Sequence, residues 1–198
     1  MIKVCSYRRS GSHLLMASLA ANFNFAEDLS RELHSHGRKW ITEGSSITVP
    51  LGTKVIVPWG KLFGTRKMDT TDINDPILYI IRNPLDVMRS CYEFDGCRGT
   101  INEYATDERI QYWLDHVNYF TANHASVQYE SLVTLPIKTI QDIQKVFQLH
   151  QKQPHIEVID RNVGWKAKKQ MGERAGWRLS TIDRFRGIIG AKFKGYEI

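Results

Sequence analysis

An α/β fold with a parallel sheet covered on both faces is what this sequence predicts, and three observations predict it. Short apolar runs of β-forming residues alternate along the chain with stretches of helical periodicity. The clearest run, Ile77-Leu78-Tyr79-Ile80-Ile81, is continuously apolar, as a strand packed on both sides must be. Both this run and the one at the N-terminus pass through a short polar loop directly into a helical stretch, the connection that open parallel sheets use.

Taken in order, Ile2 to Ser6 supplies a first strand, Tyr7-Arg8-Arg9-Ser10-Gly11-Ser12 breaks it, and Leu14 to Ala21 reads as an apolar helix. Lys54-Val55-Ile56-Val57 forms another short strand, bounded by Pro58 and Gly60. After Ile77 to Ile81, Arg82-Asn83 turns the chain and Pro84 opens a helix running to about Phe94. Asn83 suits its N-cap, Pro84 its first position and Asp86 its first turn. Ile110, Trp113, Val117 and Phe120 fall at helical spacing, and a strand follows near Ser126 to Tyr129. Ile137, Ile140, Ile143, Val146 and Phe147 trace one face of the next helix. Ser180, with Asp183 three residues on, predicts a capping box for a last helix carrying Ile182, Phe185, Ile189 and Phe193. No repeat, low-complexity tract or linker interrupts residues 1–198, which are expected to form a single domain. The polar, basic stretch 151–178 reads either as a mobile, ligand-facing region or as an ordinary surface loop.

Composition narrows the function classes. With 42% hydrophobic and 24% charged residues among 198, the chain suits one globular domain. A net charge of +6 favours an anionic partner without separating nucleic acid, membrane surface and phosphorylated ligand. Cys5, Cys91 and Cys97 are too few and too irregular for a disulfide framework or a zinc site, and a reducing, cytoplasmic setting is expected. His116, His124, His150 and His155 lack metal-ligand spacing, and no metal is expected. Neither a signal peptide nor a membrane span is expected, because no apolar run of sufficient length occurs.

The loop after the first strand carries the first chemical signal. Helix N-termini that follow strands present free backbone N–H groups and a partial positive charge. Here the loop adds Arg8, Arg9, Ser10, Ser12 and His13, with Gly11 allowing close backbone approach to an anion. A nucleoside-triphosphate loop of the G-x-x-x-x-G-K-[ST] form does not fit, since no glycine stands five residues before Gly11 and no Lys-Ser/Thr follows it. A second anion site is implied by Arg82 at a strand's end and Ser90 two turns into the following helix, which can converge on one phosphate at the sheet's carboxyl edge.

Arg82 and Ser90, eight apart around R-N-P-x-D-V, closely resemble the 3′-phosphate motif of sulfotransferases that use 3′-phosphoadenosine 5′-phosphosulfate (PAPS). Ser6-Tyr7-Arg8-Arg9-Ser10-Gly11-Ser12 is similar to that family's 5′-phosphosulfate loop. Tyr129-Glu130-Ser131-Leu132 resembles its Y-E-D/S-L segment, and Gly195-Tyr196-Glu197 the end of its terminal helix. The resemblance touches nearly the whole chain. It implies a P-loop-like, three-layer α/β/α fold around a central parallel sheet of about five strands. It implies PAPS as co-substrate and 3′-phosphoadenosine 5′-phosphate (PAP) as product, with no metal. It places Arg9 and residues 10–13 on the 5′-phosphosulfate, Arg82 and Ser90 on the 3′-phosphate, and Tyr129 beside the adenine. Phe185-Arg186-Gly187 is similar to the terminal R-K-G motif, which adds Arg186 to the cofactor-binding residues.

Two departures bear on catalysis. Arg9 stands where many members have lysine, and arginine can neutralise a leaving phosphate but cannot donate its proton at ordinary pH. The K-T-H base motif should fall near Val57 to Lys61, and no histidine is there. Candidates for the base are His36 or His34, then Glu32, with Lys61 as an electrostatic helper; an imidazole suits the role by its ordinary pKa near neutrality. The acceptor is expected to be a small molecule or an exposed glycan or peptide group, not a nucleic acid, and the oligomeric state is left open. Competing readings are a PAP/PAPS-binding protein without transferase activity, a small-molecule kinase and a nucleic-acid-binding protein, the last two disfavoured by the missing Walker lysine and by the position of the basic loop.

Overall fold

The computed structural model describes residues 3–24, 47–49, 53–55, 77–159 and 176–198. Along them run β1 (Lys3–Ser6), α1 (Ser12–Asn22), β2 (Ile47–Val49), β3 (Thr53–Val55), β4 (Ile77–Ile81), α2 (Pro84–Phe94) and α3 (Ile101–Tyr104). There follow α4 (Asp107–Asn123), β5 (Ala125–Gln128), α5 (Tyr129–Thr134), α6 (Pro136–Phe147), α7 (Leu179–Ile189), β6 (Lys192–Phe193) and β7 (Tyr196–Glu197). The architecture is mixed α/β. Strands hydrogen-bond in the order β2-β3-β1-β4-β5. β1 is parallel to both β3 and β4, and β4 to β5, while β2 pairs antiparallel with β3 at one edge.

That edge corrects the expectation of an all-parallel sheet. Its signal lies in Ile47-Thr48-Val49, a β-branched run separated from Thr53 by Pro50-Leu51-Gly52, the composition of a tight connection between antiparallel strands. The anticipated strand over 54–57 starts one residue earlier, at Thr53, and Ile56 and Val57 lie outside the described residues.

β4 shows why a continuous apolar run was needed. All five residues are buried, and they alternate between two cores. Ile77, Tyr79 and Ile81 join Val87, Met88, Trp113, Val117 and Phe185 on one side, while Leu78 and Ile80 join Val4, Leu15, Leu19, Ile140 and Ile143 on the other. The face read from Ile137 to Phe147 is narrower than expected. Ile140 and Ile143 are buried, but Ile137 and Val146 are exposed, because only the stripe centred between Ile140 and Ile143 meets the sheet.

The last helix also differs. Arg178 is the N-cap of α7 and gives no side-chain cap, so Ser180 lies inside the helix and the predicted capping box does not form; Asp183 instead pairs with Arg186. α7 ends at Gly190, and Phe193 belongs to β6, the first strand of a terminal hairpin. A capping box does form elsewhere, between Thr100 and Glu103 at the start of α3.

Residues 151–157 are held against α1 rather than projecting from it. The Asn22 amide donates to Ser18 O and Glu157 O, both at 2.8 Å, and accepts from Glu157 N at 2.6 Å. Lys152 N–H reaches Asn22 O at 2.9 Å, and Phe23 bridges to Gln151. These bonds tie the described part of the stretch to the end of α1; residues 160–175 lie outside the description. Asn22 is buried, so its loss strands two backbone groups. Asn22→Ala is expected to lower stability by about 2–3 kcal/mol, read as a shift of the urea midpoint at constant slope. A shift below about 0.5 kcal/mol would show that these bonds do not hold the segment.

Candidate functional site

The chain passes from β1 to β3 on one side and then crosses to β4 on the other, so the connections change direction between β1 and β4. At such a switch point the loops leaving neighbouring strands part and open a crevice at the carboxyl edge. Ser6 pairs with Ile80, so Tyr7 and Ile81 leave the sheet together, and Arg8-Arg9 and Arg82-Asn83 follow on adjoining paths.

The first loop is tightly turned. Ser10 N–H donates to Tyr7 O at 3.3 Å, Arg9 adopts φ 63°, and Gly11 is the left-handed N-cap of α1 at φ 95°. Among the described residues no side chain caps this helix, and no acidic residue occupies its first turn. Its end therefore keeps its positive character. Ser10 is buried, and its hydroxyl meets no hydrogen-bond partner among the described residues.

The second loop meets the first through side chains. Arg9 Nε donates to Ser90 Oγ at 3.0 Å, and an Arg82 guanidinium nitrogen donates to Arg9 O at 3.1 Å. The Arg82 Nε is buried without a hydrogen-bond partner among the described residues. Burial pushes the Arg9 guanidinium pKa down, and the nearby Arg82 and Arg8 push the same way. Three guanidinium groups, those of Arg8, Arg9 and Arg82, thus stand near one another where the two loops meet. Phe94 lies under both Arg8 and Arg9, with guanidinium-to-ring distances of 5.7 and 5.0 Å.

Arg8 is set apart from the other two. Its guanidinium donates to Asp95 Oδ1 at 2.5 Å, and the other Asp95 oxygen accepts from the Tyr104 hydroxyl. Arg9 and Arg82 are joined through the Arg9 carbonyl, which accepts from the Arg82 guanidinium.

Tyr129 is delivered to the same edge by β5. Its ring edge presses on Gly11, where a Cβ would stand 2.2 Å from Cδ2, and the Arg82 guanidinium lies over the ring at 4.6 Å from its centre. Glu130 anchors the second loop from below: Oε1 accepts from Asn83 N–H at 3.0 Å, and Oε2 accepts from the Tyr196 hydroxyl at 2.6 Å. Burial, reinforced by Glu130, pushes the Tyr196 phenol pKa far up, so this hydroxyl stays protonated and donating. Asn83 caps α2 through Leu85 N–H, as its sequence position foretold.

Behind the first loop a buried polar chain supports Tyr7. Its N–H donates to the Tyr79 hydroxyl at 3.2 Å, which stands 2.8 Å from His116 Nδ1. His116 is buried, and its Nε2 meets no partner among the described residues.

Of the residues singled out in the sequence, Arg8, Arg9, Ser10, Gly11, Arg82, Ser90 and Tyr129 come together here. Ser12 and His13 open α1 beside them. Arg186 points elsewhere in its bonding, with Nε donating to Ile198 O at 2.8 Å and another nitrogen to Asp183 at 3.1 Å. His34, His36, Glu32 and Lys61 lie outside the described residues. Sequence reasoning missed Phe94, Asp95 and Tyr104, whose local signal is a cluster of aromatic and acidic residues at the end of α2 and in the segment that follows it. It also gave no structural role to Glu130 and Tyr196, which the quoted motifs contain. Among the described residues, no group of three His, Cys, Asp or Glu side chains is placed to hold a metal ion. None of the described helices is long and apolar enough to cross a membrane.

No protein-family model matches the chain, and no curated protein matches it. Among solved structures it is similar to the mouse sulfotransferase SULT7A1 complexed with PAP, at 18% identity and a TM-score of 0.46, over 80% of this chain. The match covers 59% of that sulfotransferase chain, so this chain spans about three fifths of its length.

Proposed function

We propose that this chain is a sulfotransferase moving a sulfuryl group from PAPS to a hydroxyl or amine acceptor. One observation carries the reading: the two loops that resemble the family's phosphate motifs meet at the switch point, with Ser10 Oγ and Arg82 Nε buried there and without a hydrogen-bond partner among the described residues. Buried polar atoms without partners cost about 1–3 kcal/mol each, and a bound anion removes that cost. In this reading the domain is a three-layer α/β/α unit around a sheet of about five strands, covers residues 1–198 and works in the cytoplasm. Its acceptor is a small molecule or an exposed glycan or peptide group.

Arg9, Ser10 and the backbone N–H groups of 11–13 hold the 5′-phosphosulfate, while Arg82 and Ser90 hold the 3′-phosphate. The acceptor oxygen or nitrogen forms its bond to sulfur as the bond from sulfur to the phosphate oxygen breaks, and the departing electron pair stays on PAP. Arg9 neutralises that charge, and positioning with electrostatic stabilisation supplies most of the rate. The acceptor's proton passes to His36 or His34, or to Glu32, with Lys61 assisting; turnover retained in both His34→Ala and His36→Ala removes the histidines from this role.

The test is calorimetric titration with PAP and with AMP, on the native chain and on Arg82→Ala. PAP is expected to bind more tightly than AMP, and Arg82→Ala to weaken PAP by about 10- to 100-fold while sparing AMP, the range for a charge-assisted hydrogen bond. Equal affinity of the native chain for the two nucleotides would overturn the proposal. Binding without sulfuryl transfer to any acceptor would leave a PAP-binding protein.

A further inference from the structure

The position of Tyr129 relative to Gly11 and Arg82 says more than the motif it belongs to. Its ring edge fills the space that a side chain on residue 11 would need, with Cδ2, Cε2 and Cγ standing 2.2, 2.7 and 3.3 Å from the place of a Cβ. One face of the ring lies under the Arg82 guanidinium at 4.6 Å. Arg82 is a long, flexible side chain, and the described contacts that orient it are this face and the hydrogen bond to Arg9 O. A ring fixed at its edge by the loop and covered on a face by a cation is a brace between the two anion-binding loops. The covered face is closed to a nucleobase.

We propose that Tyr129 is a positioning residue that aims Arg82 at the 3′-phosphate, so that its contribution is selectivity for a 3′-phosphorylated nucleotide rather than stacking on adenine. The proposal rests on the sulfotransferase reading of the same site. Two consequences separate the roles. A stacking residue acts on PAP and AMP alike, since both carry the adenine. The brace acts on PAP alone, since AMP has no group for Arg82 to meet. Moreover, the brace depends on the electron density of the ring face, because cation–π attraction is electrostatic.

The experiment titrates the full chain with PAP and AMP in the native form, in Tyr129→Phe, in Tyr129→Leu and in a series carrying phenylalanines of increasing fluorination at position 129. Tyr129→Phe is expected to keep the PAP-over-AMP preference. Tyr129→Leu is expected to lower PAP affinity about three- to tenfold, the scale of a partly buried cation–π contact, with AMP unchanged. Preference should fall stepwise along the fluorinated series, which keeps the ring's shape and decides the matter even if Tyr129→Leu fails to fold. Equal losses for PAP and AMP would establish base stacking and overturn the brace, as would a preference unchanged through the fluorinated series. A native chain with no preference for PAP overturns the functional reading and this inference together, whereas a preference insensitive to residue 129 overturns this inference alone.

Discussion

Replacing Gly11 by alanine is expected to weaken PAP binding by about a hundredfold or more and to lower stability by about 2–4 kcal/mol. Two independent causes act at this position. At φ 95° a side chain is strained by about 1–2 kcal/mol, whatever space surrounds it. The added methyl would also stand 2.2 Å from the Tyr129 ring, so either the ring leaves or the loop shifts. If the ring leaves, Arg82 loses its brace; if the loop shifts, the N–H groups at the start of α1 no longer converge with Arg9 and Ser10. Gly187→Ala gives the contrast. Gly187 lies within α7 with nothing within 4 Å of a Cβ, so alanine there is expected to raise stability by about 0.5–1 kcal/mol. Thermal melts and PAP titrations of the two variants check this. Native-like PAP affinity in Gly11→Ala would show that the loop is not the donor site.

Acid is expected to destabilise the protein through His116, by about 3 kcal/mol between neutral pH and pH 4. Burial pushes this imidazole down to about 4 from an ordinary value of 6.5. Among the described residues the rings facing it are uncharged, those of Tyr7, Tyr79, Tyr112 and Phe120, and Nδ1 stands opposite the Tyr79 hydroxyl. Below pH 6.5 the unfolded chain binds a proton at this residue that the folded chain refuses. Stability therefore falls as pH drops, by about 1.4 kcal/mol per unit, and the loss is complete near pH 4. His116→Gln keeps an acceptor for Tyr79 but cannot titrate. Urea midpoints for the native chain and this variant at pH 7 and pH 4.5 isolate the effect, because every other group contributes equally to both. An identical acid loss in the two proteins would mean that His116 accepts a proton without unfolding. The same protonation should disturb Tyr7 at the mouth of the loop, because a charged ring donates at Nδ1 to a hydroxyl that already accepts the Tyr7 N–H.

The site's organisation explains why some of it was legible in the chain. The N-terminal loop and the turn after β4 are local constructions, in which residue order alone sets strand, turn, cap and helix. Asn83 and Pro84 could thus be assigned their positions at the start of α2 without any tertiary knowledge. Burial could be read in the same way, since β4 has to be apolar throughout to pack on both faces and Trp113 falls on the inner stripe of α4. The exceptions are also physical. Ile137 and Val146 share the apolar character of Ile140, but which part of an apolar face is covered depends on where the sheet lies. Ser180 and Asp183 have the spacing of a capping box, yet the N-cap of α7 lies two residues earlier, at Arg178, and Asp183 takes Arg186 as its partner.

By itself the sequence determined the strand-loop-helix units and the positions of Arg9, Gly11, Arg82 and Ser90 within them, because each follows from local periodicity and residue chemistry. Only the tertiary structure decided the strand order, and with it the pairing of Arg9 with Ser90, 81 residues apart, of Arg8 with Asp95, 87 apart, and of Glu130 with Tyr196, 66 apart. The reason is that a charge or hydroxyl in a sequence states what it can bond but not to what. The partner is selected when apolar burial fixes which strands lie side by side, and only then do the loops at their carboxyl ends face one another.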